Sequence, residues 1–250
     1  MISLNKLKIL WLIAMLLTTV GSVSFAQQNP FYYPNTPEFE EYPLVINRKY
    51  NANITGYWEK FYGLGKLKEC GELINGIRQG EWRFYRFSGS LKYSVNYING
   101  AKTGKLYHYS IYEQVKSITR YNNNEVIYFT KYNDNTGEKE YEGPYKNGIR
   151  KGLWTIFYRS GKIAAKGYLV HYSRNGKWMF FYESGILQSE GEFVNGYKEG
   201  PWINYHKNGI IKSKGNYSRN AALGEWSYYN ENGELEKVIQ YIKTEGYLLH

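Results

Sequence analysis

The sequence repeats every 24 residues over positions 56–247, and this period constrains the fold more than any other feature. The first repeated column is glycine, with Tyr128 as its exception: Gly56, Gly80, Gly104, Gly152, Gly176, Gly200 and Gly224. Two residues later lies every tryptophan beyond residue 26: Trp58, Trp82, Trp154, Trp178, Trp202 and Trp226. Columns that keep one register through eight units indicate a repeat protein.

Each unit is predicted to form two strands separated by turns. Glycine recurs nine residues into the unit, usually after Ser or Asn, and only Glu113 breaks this column. Dipeptides such as Asn75-Gly76 and Asn195-Gly196 mark a second hairpin turn near the end of the unit. The columns fit a period of two and no helical period. The fold class is therefore all-β: an elongated, twisted antiparallel β-hairpin repeat array of eight 24-residue units.

The tryptophan column is predicted to be the structural core of the array. A single hairpin is only marginally stable in water, so stacked units must bury their rings against one another. An aromatic that recurs five residues into the unit, as in Phe157 and Phe181, is assigned to the same core. Simple hairpin pairing places the tryptophan near a glycine fifteen residues into the unit, such as Gly167. The indole is then expected to lie across that glycine.

The N-terminus predicts export. Lys6 and Lys8 precede an apolar run over 9–20, and small residues follow, so residues 1–26 are interpreted as a signal peptide. Residues 27–55 are expected to be an extended, proline-rich segment that either covers the first sheet edge or acts as a tether. Residues 56–250 are predicted to form the repeat domain. The expected location is the periplasm, the outer envelope or the exterior.

The charge balance bears on the partner. Removing residues 1–26 takes away two lysines and no acids, so the net charge falls from +10 to +8. Both signs are interspersed, which is typical of a solvated surface. If the excess matters, it favours an acidic protein, an anionic lipid or an envelope polymer, and nucleic acid is not expected for an exported chain. Cys70 is the only cysteine, so no disulfide can form within the chain.

The unit Gly-x-Trp, an aromatic pair, x-x-Gly-x-Leu and then Tyr-x-Asn-Gly-x-x-x-Gly resembles the MORN-repeat variant of bacterial YwqK-type proteins. The resemblance covers residues 56–247 and implies an elongated hairpin array that binds rather than catalyses. Proteins of this type are commonly labelled antitoxins, and classical MORN repeats are associated with membrane lipids and protein scaffolding. A signal peptide would separate this chain from a cytoplasmic toxin.

Units three and four, residues 104–151, depart from the pattern. They carry Leu106 and Thr130 in the tryptophan column, Tyr128 in the first glycine column and Glu113 in the second. Two interpretations remain open. The units have drifted while their neighbours hold them, or they form a bend or a contact surface.

Nothing in the sequence predicts an enzyme, a cofactor or a metal site. The histidines His108, His171, His206 and His250 occupy different positions of the repeat, so they cannot form one row. No acids recur in a paired arrangement suited to acid–base catalysis, and the glycines follow turn spacing rather than phosphate-binding spacing.

One column is a candidate binding ladder: Tyr62, Tyr158, Tyr182 and His206, six residues into their units. Neighbours in a strand point to opposite faces, so this column is predicted to line the solvent face and to contact a peptide, glycan or lipid. The alternative is that tyrosine simply suits strands. The chain as a whole is predicted to be an exported scaffold for protein–protein interaction, or alternatively a peripheral binder of anionic membrane or envelope glycan, or an antitoxin-like binding protein.

Overall fold

A computed structural model describes residues 54–242 of the protein. The predicted signal peptide and nearly all of the 27–55 segment lie outside the described residues. Within them the chain forms sixteen strands: β1 (Gly56–Phe61), β2 (Leu67–Ile74), β3 (Ile77–Tyr85), β4 (Leu91–Ile98), β5 (Ala101–Tyr109), β6 (Val115–Asn122), β7 (Glu125–Tyr132), β8 (Lys139–Lys146), β9 (Ile149–Phe157), β10 (Ile163–Val170), β11 (Ser173–Phe181), β12 (Leu187–Val194), β13 (Tyr197–Tyr205), β14 (Ile211–Ser218), β15 (Ala221–Tyr229) and β16 (Leu235–Tyr241).

The strands lie in sequence order in one open sheet, and each pairs antiparallel with the next. Two strands make one unit, so the predicted hairpin array is confirmed. The turn between units is a two-residue turn in which both residues have positive φ, as in Asn75-Gly76 (51° and 74°). Glycine and asparagine tolerate this left-handed backbone best, which explains their recurrence at this point. The described residues contain no helix, and therefore none long and apolar enough to cross a membrane.

The core is built from indoles that lie flat on glycines. Trp58 pairs with Gly71 within its own unit, as the sequence predicts. The ring that covers Gly71, however, belongs to Trp82 of the following unit, because a Cβ on Gly71 would lie 2.5–2.6 Å from three atoms of that indole. The same Gly–Trp interlock, in which an indole covers a glycine eleven residues earlier, recurs in four more pairs: Gly143/Trp154, Gly167/Trp178, Gly191/Trp202 and Gly215/Trp226. Each interlock therefore joins two successive units.

Each interlocking indole is fixed by a hydrogen bond, and four of the five also contact a cation. Its ring N–H donates to the carbonyl ten residues earlier, over 3.0–3.2 Å in all five cases, such as Trp178 to Tyr168. In four of the five, an arginine or lysine lies over the ring, 4.2–4.9 Å from the centroid, as Arg174 does over Trp178. The five tryptophans are buried, and Trp58, which begins the array, is half-buried. The indole polar group is thus satisfied inside the core.

The interlock explains two substitutions in units three and four. Val95 occupies the position of the covered glycine in one unit, and the residue that pairs with it in the next unit is Leu106 instead of tryptophan. Where this position holds Thr119, the opposing residue is Phe129. All four of these side chains are buried. A Cβ at the covered position excludes a flat indole, so the glycine and the tryptophan are replaced together.

Unit four is shifted by one residue, which the uniform 24-residue period conceals. In β7, Phe129 and not Thr130 faces Thr119 and takes the tryptophan place. The assignment of Thr130 to the core column was therefore wrong. In other units, the pairing register skips two residues of the tryptophan strand at a β-bulge next to the covered position. One of these two residues is a glycine with positive φ, such as Gly176. This bulge is one residue shorter in β7, where only Ile127 is skipped and Tyr128 pairs with Arg120. The turn after β7 is one residue longer.

The aromatic assigned to the core five residues into the unit lies on the other face of the sheet. Phe157 and Phe181 are half-buried, whereas the preceding residues Ile156 and Phe180 are buried and share the tryptophan face. Phe180 contacts Trp178 with ring centroids 6.0 Å apart. Side chains alternate between faces along a strand, so the positions two and four residues into the unit belong together.

A double-mutant cycle on Gly167 and Trp178 tests the interlock. Gly167→Val is expected to destabilise the protein by about 3 kcal/mol, because its methyls displace the indole. Trp178→Leu alone leaves a cavity and costs about 3 kcal/mol. The double variant reproduces the natural Val95/Leu106 pair and should cost at least about 1 kcal/mol less than the sum. Urea unfolding measures all three; strictly additive losses would contradict the interlock.

Candidate functional site

The first turn of every unit lies along one edge of the sheet, which we call the first-turn edge. Side chains six residues into the unit reach along this edge to the next unit. The Tyr62 hydroxyl donates to the Tyr85 carbonyl at 2.8 Å, and the Tyr182 hydroxyl donates to the Tyr205 carbonyl at 2.7 Å. We call these contacts clasps. Three further residues make them, each to the equivalent carbonyl: Arg86, Tyr158 and His206.

The candidate binding ladder consists of clasp residues. Tyr62, Tyr158, Tyr182 and His206 are half-buried, and the polar group of each is hydrogen-bonded to the next unit. These contacts give the column a structural role that sequence alone did not indicate. Ligand binding by the ladder stays a prediction, and it would have to use ring faces rather than hydroxyl groups.

The clasps lapse in units three and four. The clasp position of unit three is Ser110, whose hydroxyl accepts hydrogen bonds from the amides of Tyr112 and Gln114 within its own turn. In the shifted unit four the position falls to Asn133, whose side-chain oxygen likewise accepts amides of its own turn. The hydrogen bonds of both side chains stay within their own units. The first-turn edge is therefore left without clasps over the same units in which the interlock is altered.

A cleft of about 710 Å³ opens on the first-turn edge at this place. Tyr62, Arg86 and Phe87 line one end of it, and Lys116 and Asp134 line the other. Arg86 is held by carbonyls on both sides, including that of Leu91 at 2.7 Å. One wall of the cleft is thus held in place by the clasp residue Arg86. The cleft opens towards units three and four, whose clasps are missing.

Apolar turn tips border the cleft. The two tip residues of the first turn lie seven and eight residues into the unit, and units one to three expose Leu64, Phe87, Ile111 and Tyr112 there. Tyr112 is 80% exposed and Leu64 78% exposed. Units five to eight carry polar tips instead: Arg159-Ser160, Glu183-Ser184, Lys207-Asn208 and Glu231-Asn232. Grouped, exposed apolar side chains of this kind mark an interaction surface.

A lysine column runs beside these tips. The residue twelve positions into the unit is Lys68, Lys92 and Lys116 in units one to three, and Glu140 in unit four. Lys116 lies 2.9 Å from a carboxylate oxygen of Asp134. Burial alone would raise the pKa of Asp134, but hydrogen bonds from Lys116 and Lys131 outweigh it and hold this pKa below its ordinary value. The cleft therefore already binds one carboxylate of its own chain.

Among residues 54–242 no cluster of histidine, cysteine and acidic side chains could hold a metal ion. His108 lines the cleft, whereas His206 is a clasp residue and His171 lies in a turn between units with φ of 49°. His250 lies outside the described residues. The residues that line the candidate site are apolar, aromatic and charged side chains, among them Ile111, Tyr112 and Lys116.

These features define an open hairpin-repeat protein with a candidate contact surface on one turn edge. The family model of the MORN repeat variant matches five segments: residues 78–99, 150–171, 174–195, 198–219 and 222–243. The chain therefore belongs to the proteins built from MORN-variant repeats. The span between the first two segments holds units three and four, whose altered columns are described above. MORN repeats generally mediate binding to proteins or membranes.

A search of the curated proteins finds no match. Among solved structures, the chain is similar to the GtfA/B complex bound to UDP and GlcNAc, with 13% identity over 46% of this chain and a TM-score of 0.22. It is also similar to the Tc holotoxin pore of Photorhabdus luminescens (10% identity, 69% of this chain, TM-score 0.16). The chain spans 22% and 14% of the lengths of these two. A Bacteroides fragilis protein of unknown function matches over 76% of this chain and 94% of its own, with 14% identity and a TM-score of 0.11.

Hydrogen exchange tests where the array is weakest. The junction between β6 and β7 has neither a Gly–Trp interlock nor a clasp, whereas the junction between β12 and β13 has both. Amides of β6 and β7 should therefore exchange at least about tenfold faster than those of β12 and β13, which corresponds to roughly 1.4 kcal/mol of local stability. Mass spectrometry of peptides from the intact protein measures this; equal protection would contradict the assignment.

Proposed function

We propose that this chain is an exported, non-catalytic scaffold that binds another protein at the cleft on its first-turn edge. The observation that carries the proposal is that unit three combines an exposed apolar tip, Ile111-Tyr112, with a missing clasp at Ser110, beside the cleft. The fold does not need Ile111 or Tyr112 for packing, since both are largely exposed. Exposed aromatic and aliphatic side chains beside a concavity are typical of protein-binding hot spots.

The placement of several positive charges favours a protein partner over a flat anionic membrane. Several of the cations lie in the core, over aromatic rings, and not on an exposed stripe. Arg78 and Arg150 are 7% and 1% exposed. Lys198 is half-buried over Trp202, and burial together with nearby Arg174 lowers its pKa. Charges held in this way contribute little to the attraction of a lipid surface.

The test compares two variants that receive the same turn tip. Ile111→Ser with Tyr112→Ser gives unit three a Ser-Ser tip, and Glu183→Ser gives unit six the same tip. The protein is cross-linked in native envelope, and its partners are recovered and identified. The unit-three variant is expected to lose at least about tenfold of the specific partner, which corresponds to roughly 1.4 kcal/mol, as for truncated hot-spot residues. The unit-six variant should retain it.

Thermal melting of both variants controls for folding, and neither should shift, because surface tips contribute little to stability. Retention of the partner by the unit-three variant would contradict the proposal. Flotation with phosphatidylglycerol vesicles distinguishes membrane binding from protein binding. If the wild type floats in a salt-sensitive way and the Ser-Ser variant of unit three floats equally well, membrane binding is favoured instead.

A further inference from the structure

Asn-Gly dipeptides form four of the turns between units: Asn75-Gly76, Asn99-Gly100, Asn147-Gly148 and Asn195-Gly196. In each turn both residues have positive φ, between 50° and 53° at the asparagine and between 71° and 87° at the glycine. All four asparagines are exposed to water. Because the four turns share one backbone conformation, a difference in their chemistry is expected to come from their contacts with the rest of the chain.

An Asn-Gly dipeptide carries its own reaction partners. The glycine nitrogen attacks the side-chain carbonyl carbon of the asparagine and closes a succinimide ring. The bond from that carbon to the side-chain nitrogen breaks, and the nitrogen leaves as ammonia together with the proton of the glycine amide. Water then opens the ring at one of its two carbonyls and produces aspartate or isoaspartate. The reaction therefore requires a glycine amide that can give up its proton and approach the asparagine side chain.

In three of the four turns the glycine amide is already bonded to a carbonyl. The donors and acceptors are Gly76 to Ile54 at 2.8 Å, Gly100 to Arg78 at 3.0 Å and Gly196 to Arg174 at 2.9 Å. Each bond links a turn to the chain one unit earlier. Ring closure at these turns must first break this hydrogen bond, which lowers the fraction of molecules that can react.

The turn that ends unit four meets the preceding unit differently, next to the shorter bulge of β7. The amide of Asn147 donates to Glu125 Oε1 at 3.2 Å, 22 residues earlier. In a regular turn the corresponding amide, that of Asn195, bonds the side chain of Asn175, 20 residues earlier. The hydrogen bonds of residues 54–242 include none from the amide of Gly148. Its nitrogen can therefore approach the Asn147 side chain without the loss of a bond.

We propose that Asn147 is a site of spontaneous modification. In the folded protein it converts to aspartate or isoaspartate faster than the three other asparagines of the Asn-Gly turns, Asn75, Asn99 and Asn195. The reaction needs only water and no enzyme. It also does not depend on a ligand at the cleft, since the turn that contains Asn147 is not part of the first-turn edge.

The modification changes the hairpin that joins units four and five. Either product adds a negative charge beside Glu125, whose carboxylate accepts the Asn147 amide. Isoaspartate also directs the main chain through the former side chain, so the turn becomes one atom longer. A two-residue turn fixes the register of its hairpin. The affected strands are β8 and β9, which carry the Gly143/Trp154 interlock.

Mass spectrometry of tryptic peptides tests the proposal, because each of the four asparagines falls in a separate peptide. The intact purified protein is kept at physiological temperature in mildly alkaline buffer and sampled over time. Conversion of the amide to an acid is read from the mass of each peptide. Asn147 is expected to react roughly fivefold faster than each of the other three, the ratio that one hydrogen bond of about 1 kcal/mol produces.

The same protein unfolded in urea is the matched control. Glycine follows all four asparagines, so the four sites should react at similar rates once the fold and its hydrogen bonds are lost. Equal rates at the four sites of the folded protein would overturn the proposal, because the glycine hydrogen bonds would then have no effect. An excess at Asn147 that persists unchanged in urea would also overturn it, because the cause would lie in the local sequence and not in the fold.

Discussion

The structure depends on one steric relationship: an indole can lie flat on a strand only where the strand has no side chain. Each covered glycine lets the tryptophan of the next unit descend onto the backbone, where its N–H reaches a carbonyl and its ring shields the strand from water. An open single-layer sheet has no second layer to bury its face. The ring of the following unit takes that role, so every unit is completed by its successor.

This dependence accounts for the pattern of conserved and altered columns within the chain. A side chain at the covered position forces the next ring to be smaller or more flexible, as in Val95 with Leu106 and Thr119 with Phe129. These units keep a buried core of a different shape. At the end of the array, β16 carries Ile239 at the covered position. A side chain at this position of the last described strand excludes a flat indole, as it does at Val95 and Thr119.

The sequence predicts most of the fold and little of the candidate site, for a physical reason. Period, turn positions and the Trp58–Gly71 pairing follow from columns that recur, because the sheet imposes the same demand on every unit. Which indole covers which glycine depends on the three-dimensional stacking of units. The shift in unit four was hidden because a shorter bulge and a longer turn cancel in the residue count. The sequence does not indicate the clasps, because their acceptors are backbone carbonyls, which every residue has.

The candidate site lies in columns that the fold leaves unconstrained. Turn tips and the position twelve residues into the unit vary from unit to unit. The repeat pattern therefore does not include them. In units one to three, however, both columns vary together, towards apolar tips and towards lysine. A change shared by two neighbouring columns in units one to three does not serve the sheet. Drift would alter the two columns independently. Lys212 of unit seven also occupies the lysine position, but beside a polar tip, so only the pairing of lysine with an apolar tip is confined to units one to three. This pairing favours a contact surface as the interpretation of unit three.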